Sequence, residues 1–132
     1  MIQKFNNFKM NTNGQKLYEF TDETINWIKK NKFKNGILNL SIQHTSASLI
    51  IQENADPDVQ TDLINYFNKI APMDKNLYIH TTEGKDDMPA HIKSSLTNNQ
   101  ISLSVENGKL LLGTWQGIYL FEHRLNPQTR TI

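Results

Sequence analysis

The chain has no cysteine among its 132 residues, which excludes a disulfide framework and any thiolate metal site. It has no apolar run near the ~20 residues that span a bilayer, and its first residues, MIQKFNNFKM, lack the apolar core of a signal peptide. An excess of charge is missing too. Fourteen lysines and arginines meet thirteen aspartates and glutamates, mixed along the chain, so there is no electrostatic footprint of a nucleic-acid binder. No Walker loop, G-x-G-x-x-G, G-x-S-x-G or H-E-x-x-H occurs, and there is no repeat, linker or low-complexity run. What remains is the expectation of one cytoplasmic domain over residues 1–132, long enough to bury a core.

Several periodic segments are present. Ile2, Phe5, Phe8 and Met10 are spaced as in a first strand or a free end, and Asn11 to Gly14 is a turn before a strand from Gln15 to Phe20. Thr21 is placed to cap a helix from Asp22 to about Lys32, with acids at its start and lysines at its end. From Ile37 the period is two: Leu38, Leu40 and Ile42 share a face that His44, Ser46 and Ser48 continue, predicting one central strand to about Ile51. Asp56-Pro57 starts a second helix striped by Val59, Leu63, Tyr66, Phe67 and Ile70. Asn76 to His80 reads as a short strand. A third helix begins near Asp87, with Met88, Ile92 and Leu96 as its buried stripe and His91 and Ser95 at the border. Asn107-Gly108 is a hairpin signal. Its return strand is expected to run from Lys109 to about Arg124 with a bend at Gly113, and the tail from Asn126 has no clear placement. The pattern predicts a single α+β domain with antiparallel, β-sandwich-like sheets and about three helices.

Chemistry concentrates between His80 and Leu96, in HTTEGKDDMPAHIKSSL. His44, His80, His91 and His123 are the four imidazoles. Three histidines with an open position would make a catalytic zinc site, and hydrogen-bonded structural histidines are the other reading. Among Glu83, Asp86 and Asp87, one aspartate is enough to cap a helix, so the rest are available to orient a histidine, act as a base or hold a divalent cation. Glu53 and Asn54 end a strand where polar site residues often sit. Gly113-Thr114-Trp115-Gln116-Gly117 is either a bulge or a sheet rim from which Thr114 and Gln116 reach a ligand. A phosphate would need Lys85, Lys93, Arg124, Arg130 or the start of the third helix.

HTSASL from His44, ENADPDV from Glu53, EGKDDMPAHIKSSL from Glu83 and GTWQGIYLFEHR from Gly113 occur in one order. Together they resemble the YjbQ-type family, also called the secondary thiamine-phosphate synthase family. The resemblance implies a small α+β sandwich assembled as a homotrimer. It implies a metal site at His44, His80 and His91, with zinc as the expected ion, and leaves His123 out. Asp87, Glu83 and Gln116 become candidate catalytic groups; Thr45, Ser46, Asn54, Thr114, Trp115 and Arg124 become candidate substrate contacts. The implied activity joins a pyrimidine diphosphate to a thiazole phosphate, with magnesium neutralising the departing diphosphate and Trp115 walling the ring. Two rivals stand beside it: a metal-dependent phosphoester hydrolase, and a non-enzymatic trimer that binds a small molecule. None of the three needs nucleic acid or a membrane.

Overall fold

Eight strands and three helices follow one another along the chain. They are β1 Lys9–Thr12, β2 Lys16–Glu19, α1 Thr21–Lys30, β3 Gly36–Ser41, β4 Ala47–Glu53, α2 Pro57–Ile70, α3 Asp87–Leu96, β5 Gln100–Glu106, β6 Lys109–Leu110, β7 Gln116–Glu122 and β8 Gln128–Thr131. A computed structural model describes all 132 residues. All pairing is antiparallel: β2-β7-β4 form one sheet, β3-β5-β6 a second, and β1-β8 a two-stranded ribbon. No helix is long and apolar enough to cross a membrane.

The alternation along β7 explains the layering. Its residues from Gly117 to Glu122 are all buried, which period two permits only if both faces are covered. Ile118 and Leu120 enter the main core with Phe20, Ile42, Ala47, Leu49, Ile101 and Ile132. Tyr119 and Phe121 point the other way, towards Leu63, Ile64 and Phe67 of α2. The β2-β7-β4 sheet is therefore filled against the second sheet on one face and α2 on the other. Each large aliphatic side chain buried there contributes roughly 1.5–3 kcal/mol. α1 closes the β3-β5 sheet through Ile28, packed with Leu38 and Val105.

The fold class stands as expected, and the differences lie at crossings between sheets. The predicted strand from Ile37 to Ile51 is two strands in two sheets. Between them Ile42 N–H donates to Asn99 O and Gln43 N–H to Thr131 O, which turns the chain and leaves His44 and Thr45 outside both ladders. The predicted return strand from Lys109 to Arg124 divides in the same way: β6 ends at Leu110, a turn runs through Gly113, and β7 starts at Gln116 in the other sheet. The unplaced tail becomes β8 and pairs with β1.

Four smaller corrections follow. Thr21 is the first residue of α1 instead of its cap; its hydroxyl accepts from Ile118 N–H and donates to Glu19. Residues 76–80 form no strand, because Asp74 caps a single 3₁₀ turn over Lys75–Leu77. On α2, Tyr66 and Ile70 are exposed while Ile64 turns inwards. On α3 the buried residues are Asp87, Pro89, Ala90 and Lys93, whereas Leu96 is exposed. The helix presents polar groups to the core side, and hydrophobic spacing alone picked the wrong face.

Candidate metal centre

α3 starts with two adjacent carboxylates, and neither caps it through its side chain. Both are drawn to Arg124, which leaves β7 just after its last residue. The guanidinium Nε donates to Asp86 Oδ2 at 2.9 Å, Nη1 to Asp87 Oδ1 at 2.6 Å and Nη2 to the Glu83 carbonyl at 2.9 Å. Leu125 N–H adds a bond to Asp86 Oδ2. One side chain thus fastens the whole 83–87 loop to the sheet. Gly84 lets the loop turn at φ +110°, where a Cβ would lie 2.9 Å from Asp86 Oδ1.

With Oδ1 held by Arg124, the other oxygen of Asp87 faces two imidazoles. His80 Nε2 lies 2.7 Å and His91 Nε2 3.1 Å from Asp87 Oδ2, and Glu83 Oε2 lies 3.0 Å from His80 Nε2. His91 follows from helical geometry, since Asp87 and His91 are four residues apart on α3 and so share a face. Its ring is fixed from the far side, where Nδ1 sits 2.9 Å from the carbonyl oxygen of Thr45. A carbonyl only accepts, so Nδ1 carries the hydrogen and a neutral ring turns its Nε2 lone pair towards Asp87 Oδ2. Two lone-pair atoms in contact require a cation between them, either a proton or a metal ion. A backbone carbonyl orienting a metal-binding imidazole, and an arginine holding a metal-binding carboxylate, are usual supports of such a site.

Electrostatics agrees with that arrangement. Burial raises the Asp87 carboxyl, but the hydrogen bond from His80 and the charges of Arg124 and His91 outweigh it and hold the group below the usual carboxylate range. Asp86 is likewise held down, burial being outweighed by Leu125 N–H and Arg124. His80 is raised, chiefly by its hydrogen bond to Asp87. The donor set of two imidazoles and the Asp87 carboxylate, with Glu83 beside His80, suits zinc or a similar divalent ion. The ligand atoms of His80, Asp87 and His91 all lie within 4.8 Å of one another, and bonds of about 2.0–2.2 Å to one ion would require little adjustment.

The structure does not bring His44 into this group. Its Nε2 accepts from Thr131 N–H at 2.9 Å, and its Nδ1 lies 3.4 Å from Arg130 Nη1. Burial, then the Arg130 charge, lowers its pKa. Arg130 is itself buried and bonded to Glu122 and to Ser46, whose side chain is thereby committed. Asp87 takes the place that His44 held in the expected ligand set. Thr45 contributes its carbonyl instead of a substrate contact, and Arg124 positions the carboxylates.

Asn54, Thr114, Trp115 and Gln116 lie elsewhere. The β4–β7 ladder runs from Ala47↔Glu122 to Glu53↔Gln116, six steps of about 3.4 Å, which separates its two ends by roughly 20 Å. Asn54 N–H bonds Trp115 O at the far end, and Gln116 Oε1 closes the Gly113 turn by accepting from Gly113 N–H at 2.7 Å. Gln116 therefore has a structural partner and no route to the centre within one chain. The expected phosphate ligands Lys93 and Arg130 are buried, and the start of α3 is already filled by Asp86 and Asp87. His123 is buried too, and burial, then Lys93 and Arg130, lowers it to about 3.

Sequence reasoning named Asp87, Glu83, His80 and His91 but missed the Asp86–Arg124 link and the Thr45 carbonyl. A DD pair followed by a distant EHR carries a charge-complementarity signal. A backbone carbonyl from another segment carries none.

A family model described as UPF0047 protein YjbQ-like matches residues 6–132. The UPF0047 protein sll1880 of Synechocystis is 48% identical over 92% of this chain and 82% of its own length. YjbQ of Escherichia coli O157:H7 is 46% identical over 85% of this chain and 81% of its own. The crystal structure of a YjbQ/UPF0047-family protein from Clostridium acetobutylicum superposes with a TM-score of 0.86 at 32% identity, covering 97% of this chain and 98% of that one. A conserved hypothetical protein from Thermus thermophilus gives a TM-score of 0.85 at 30% identity, covering 96% and 95%.

Proposed function

The chain belongs to the YjbQ-like UPF0047 family, and we propose that it is a divalent-metal-dependent enzyme acting on a small molecule at His80, Glu83, Asp87 and His91. The observation that carries this reading is the convergence of two imidazole Nε2 atoms on one carboxylate oxygen whose partner oxygen is already neutralised by Arg124. The ion, with zinc as first choice, would supply a Lewis acid and acidify a bound water. Glu83 is the ligand-side carboxylate most open to solvent, with 64% of its side chain exposed. It is placed to accept a proton from water or from a substrate hydroxyl. His91 is held in one tautomer and one ring orientation by Thr45 O. Arg124 keeps Asp87 ionised and fixed.

These residues favour hydrolysis over diphosphate transfer. Joining a pyrimidine diphosphate to a thiazole phosphate involves several phosphate groups. Yet Arg124 is consumed by Asp86 and Asp87, Lys93 and Arg130 are buried, and Lys85 is the exposed cation on the loop. The transfer implied by the family resemblance is the second reading, with magnesium entering alongside the diphosphate. Its support is the four-motif match. A homotrimer belongs to the same proposal, and exposed apolar side chains such as Ile37, Ile79, Leu96 and Trp115 provide surface for one. Light scattering of the untagged protein tests it.

The enzyme reading is tested by assaying phosphoesters, other hydrolysable small molecules and the thiamine-phosphate precursors. Each assay is run on native, chelator-treated and zinc- or magnesium-restored protein. Turnover that chelation removes, restoration returns and Asp87→Asn abolishes is the expected outcome. Saturable binding with no turnover under any metal condition would make the protein a binding module instead.

A further inference from the structure

A cleft of about 470 Å³ opens beside the metal centre and shares His91 with it. Its other lining residues include His44, Thr45, Ser94, Ser95, Thr97 and Asn99. It contains no carboxylate, lysine or arginine side chain, so its preference must come from hydrogen-bond polarity and backbone dipoles.

Both point the same way. The hydroxyl hydrogens are already used within the chain. Ser94 Oγ–H donates to Ala47 O, Ser95 Oγ–H to His91 O, and Thr97 Oγ1–H to Lys93 O or Ser48 Oγ. These oxygens are left only to accept. Of the imidazoles, His91 Nδ1 is committed to Thr45 O and His44 Nε2 to Thr131 N–H, and the hydrogen on His44 Nδ1 lies on the side of Arg130. Ser94 and Ser95 lie in the last turn of α3, which ends at Leu96 with Thr97 as its C-cap. No backbone N–H reaches the carbonyls of Ser94, Ser95 or Leu96. Orphan carbonyls at a helix C-terminus carry about half a negative charge and favour cations and donors over anions.

We infer that this cleft is the recognition half of the site and takes an amino- or hydroxyl-rich group, such as that of an amino sugar or amino alcohol, in preference to a phosphate. The inference rests on the metal-centre reading only for its functional consequence: the held group would place the reacting bond of the same molecule beside His91. Asn99, exposed at the rim, is then a specificity residue. A carboxylate there strengthens the attraction and an ammonium reverses it.

The test is titration of the isotope-labelled protein with glucosamine, glucose and glucose 6-phosphate, followed by amide shifts. It is done on native, EDTA-treated and Asp87→Asn protein, so that cleft binding is read without the ion. Expected are saturable shifts at Ser94, Ser95 and Asn99 in the order glucosamine, glucose, glucose 6-phosphate, in all three preparations. Asn99→Asp tightens glucosamine several-fold and Asn99→Lys weakens it by a similar factor, both with the parent spectrum otherwise kept. Cleft binding that persists in Asp87→Asn while no metal binds anywhere would sink the metal reading and leave this one standing. Preference for glucose 6-phosphate, no response of the cleft amides to glucosamine, or indifference to both Asn99 substitutions would overturn it.

Discussion

Two arginines six residues apart, Arg124 and Arg130, each stand in a cluster of carboxylate and imidazole groups, and they build opposite things. Arg130 is 4% exposed and reaches Glu122 by Nε and Nη2, with Ser46 and Thr12 filling the remaining positions of the cluster. The imidazole beside it, His44, accepts from Thr131 N–H at Nε2 and has the Arg130 guanidinium 3.4 Å from Nδ1; burial and that charge lower its pKa. Arg124 binds its carboxylates from one side only. The far oxygen of Asp87 faces His80 and His91, and His80 is raised. A ring whose lone pair is taken by an N–H and whose other nitrogen lies beside a guanidinium repels a cation, while rings converging on a carboxylate oxygen attract one. The first cluster is a closed buried ion pair tying β7 to β8. The second is an open half-shell that an ion can complete. Residue type did not distinguish them; which atoms remain unpaired does.

The largest expected effect breaks the closed cluster. Arg130→Met leaves Glu122 buried without its counter-charge and should cost about 3–5 kcal/mol in urea unfolding. Arg124→Met should cost less than half as much, because Asp86 keeps Leu125 N–H and Asp87 keeps two histidines. Equal losses would erase the distinction between the clusters.

Next in size is an acid-side effect. His123 is buried and held at about 3, whereas the unfolded ring titrates near 6.5. Between those values the unfolded chain binds the extra proton, so stability is present above about pH 6.5 and is lost as pH falls towards 3. By pH 4 the loss is on the order of 3 kcal/mol. His123→Leu should flatten the difference in unfolding free energy between pH 6.5 and 4, whatever it does at either pH. An unchanged difference would mean that the ring titrates freely.

The smallest effect sharpens the open cluster. Arg124→Lys keeps the charge but cannot reach Asp86, Asp87 and Glu83 O together. Metal affinity by calorimetry should fall about 10–100-fold, with the far-ultraviolet spectrum unchanged. Parent-like affinity would show that the loop holds its shape without the fork.

Much of this was legible in the sequence where one segment supplies all the information. Asp56-Pro57 starts α2 where expected, with Asp56 accepting from Asp58 N–H, and Asn107-Gly108 turns the β5–β6 hairpin. The spacing of Asp87 and His91 placed both on one helical face. What escaped depends on two segments meeting. The period-two run from Ile37 to Ile51 cannot show that its strand changes sheet at residues 42–46, because the side-chain alternation continues across the corner. That corner leaves His44 outside the cluster of His80, Asp87 and His91. The roughly 20 Å between His91's end of the β4–β7 ladder and Gln116's end is invisible in motif order, so the segments from His44, His80 and Gly113, expected to share one site, fall in two regions of the folded chain.

The central claim is that the open cluster, with Asp87 and without His44, holds the ion. Zinc stoichiometry and affinity of the native protein, His44→Gln and Asp87→Asn, measured by elemental analysis and calorimetry, test it most directly. The account predicts one ion per chain in the native protein and in His44→Gln, with affinity lowered about 100-fold or more in Asp87→Asn. Loss of the ion in His44→Gln with Asp87→Asn still loaded would contradict it.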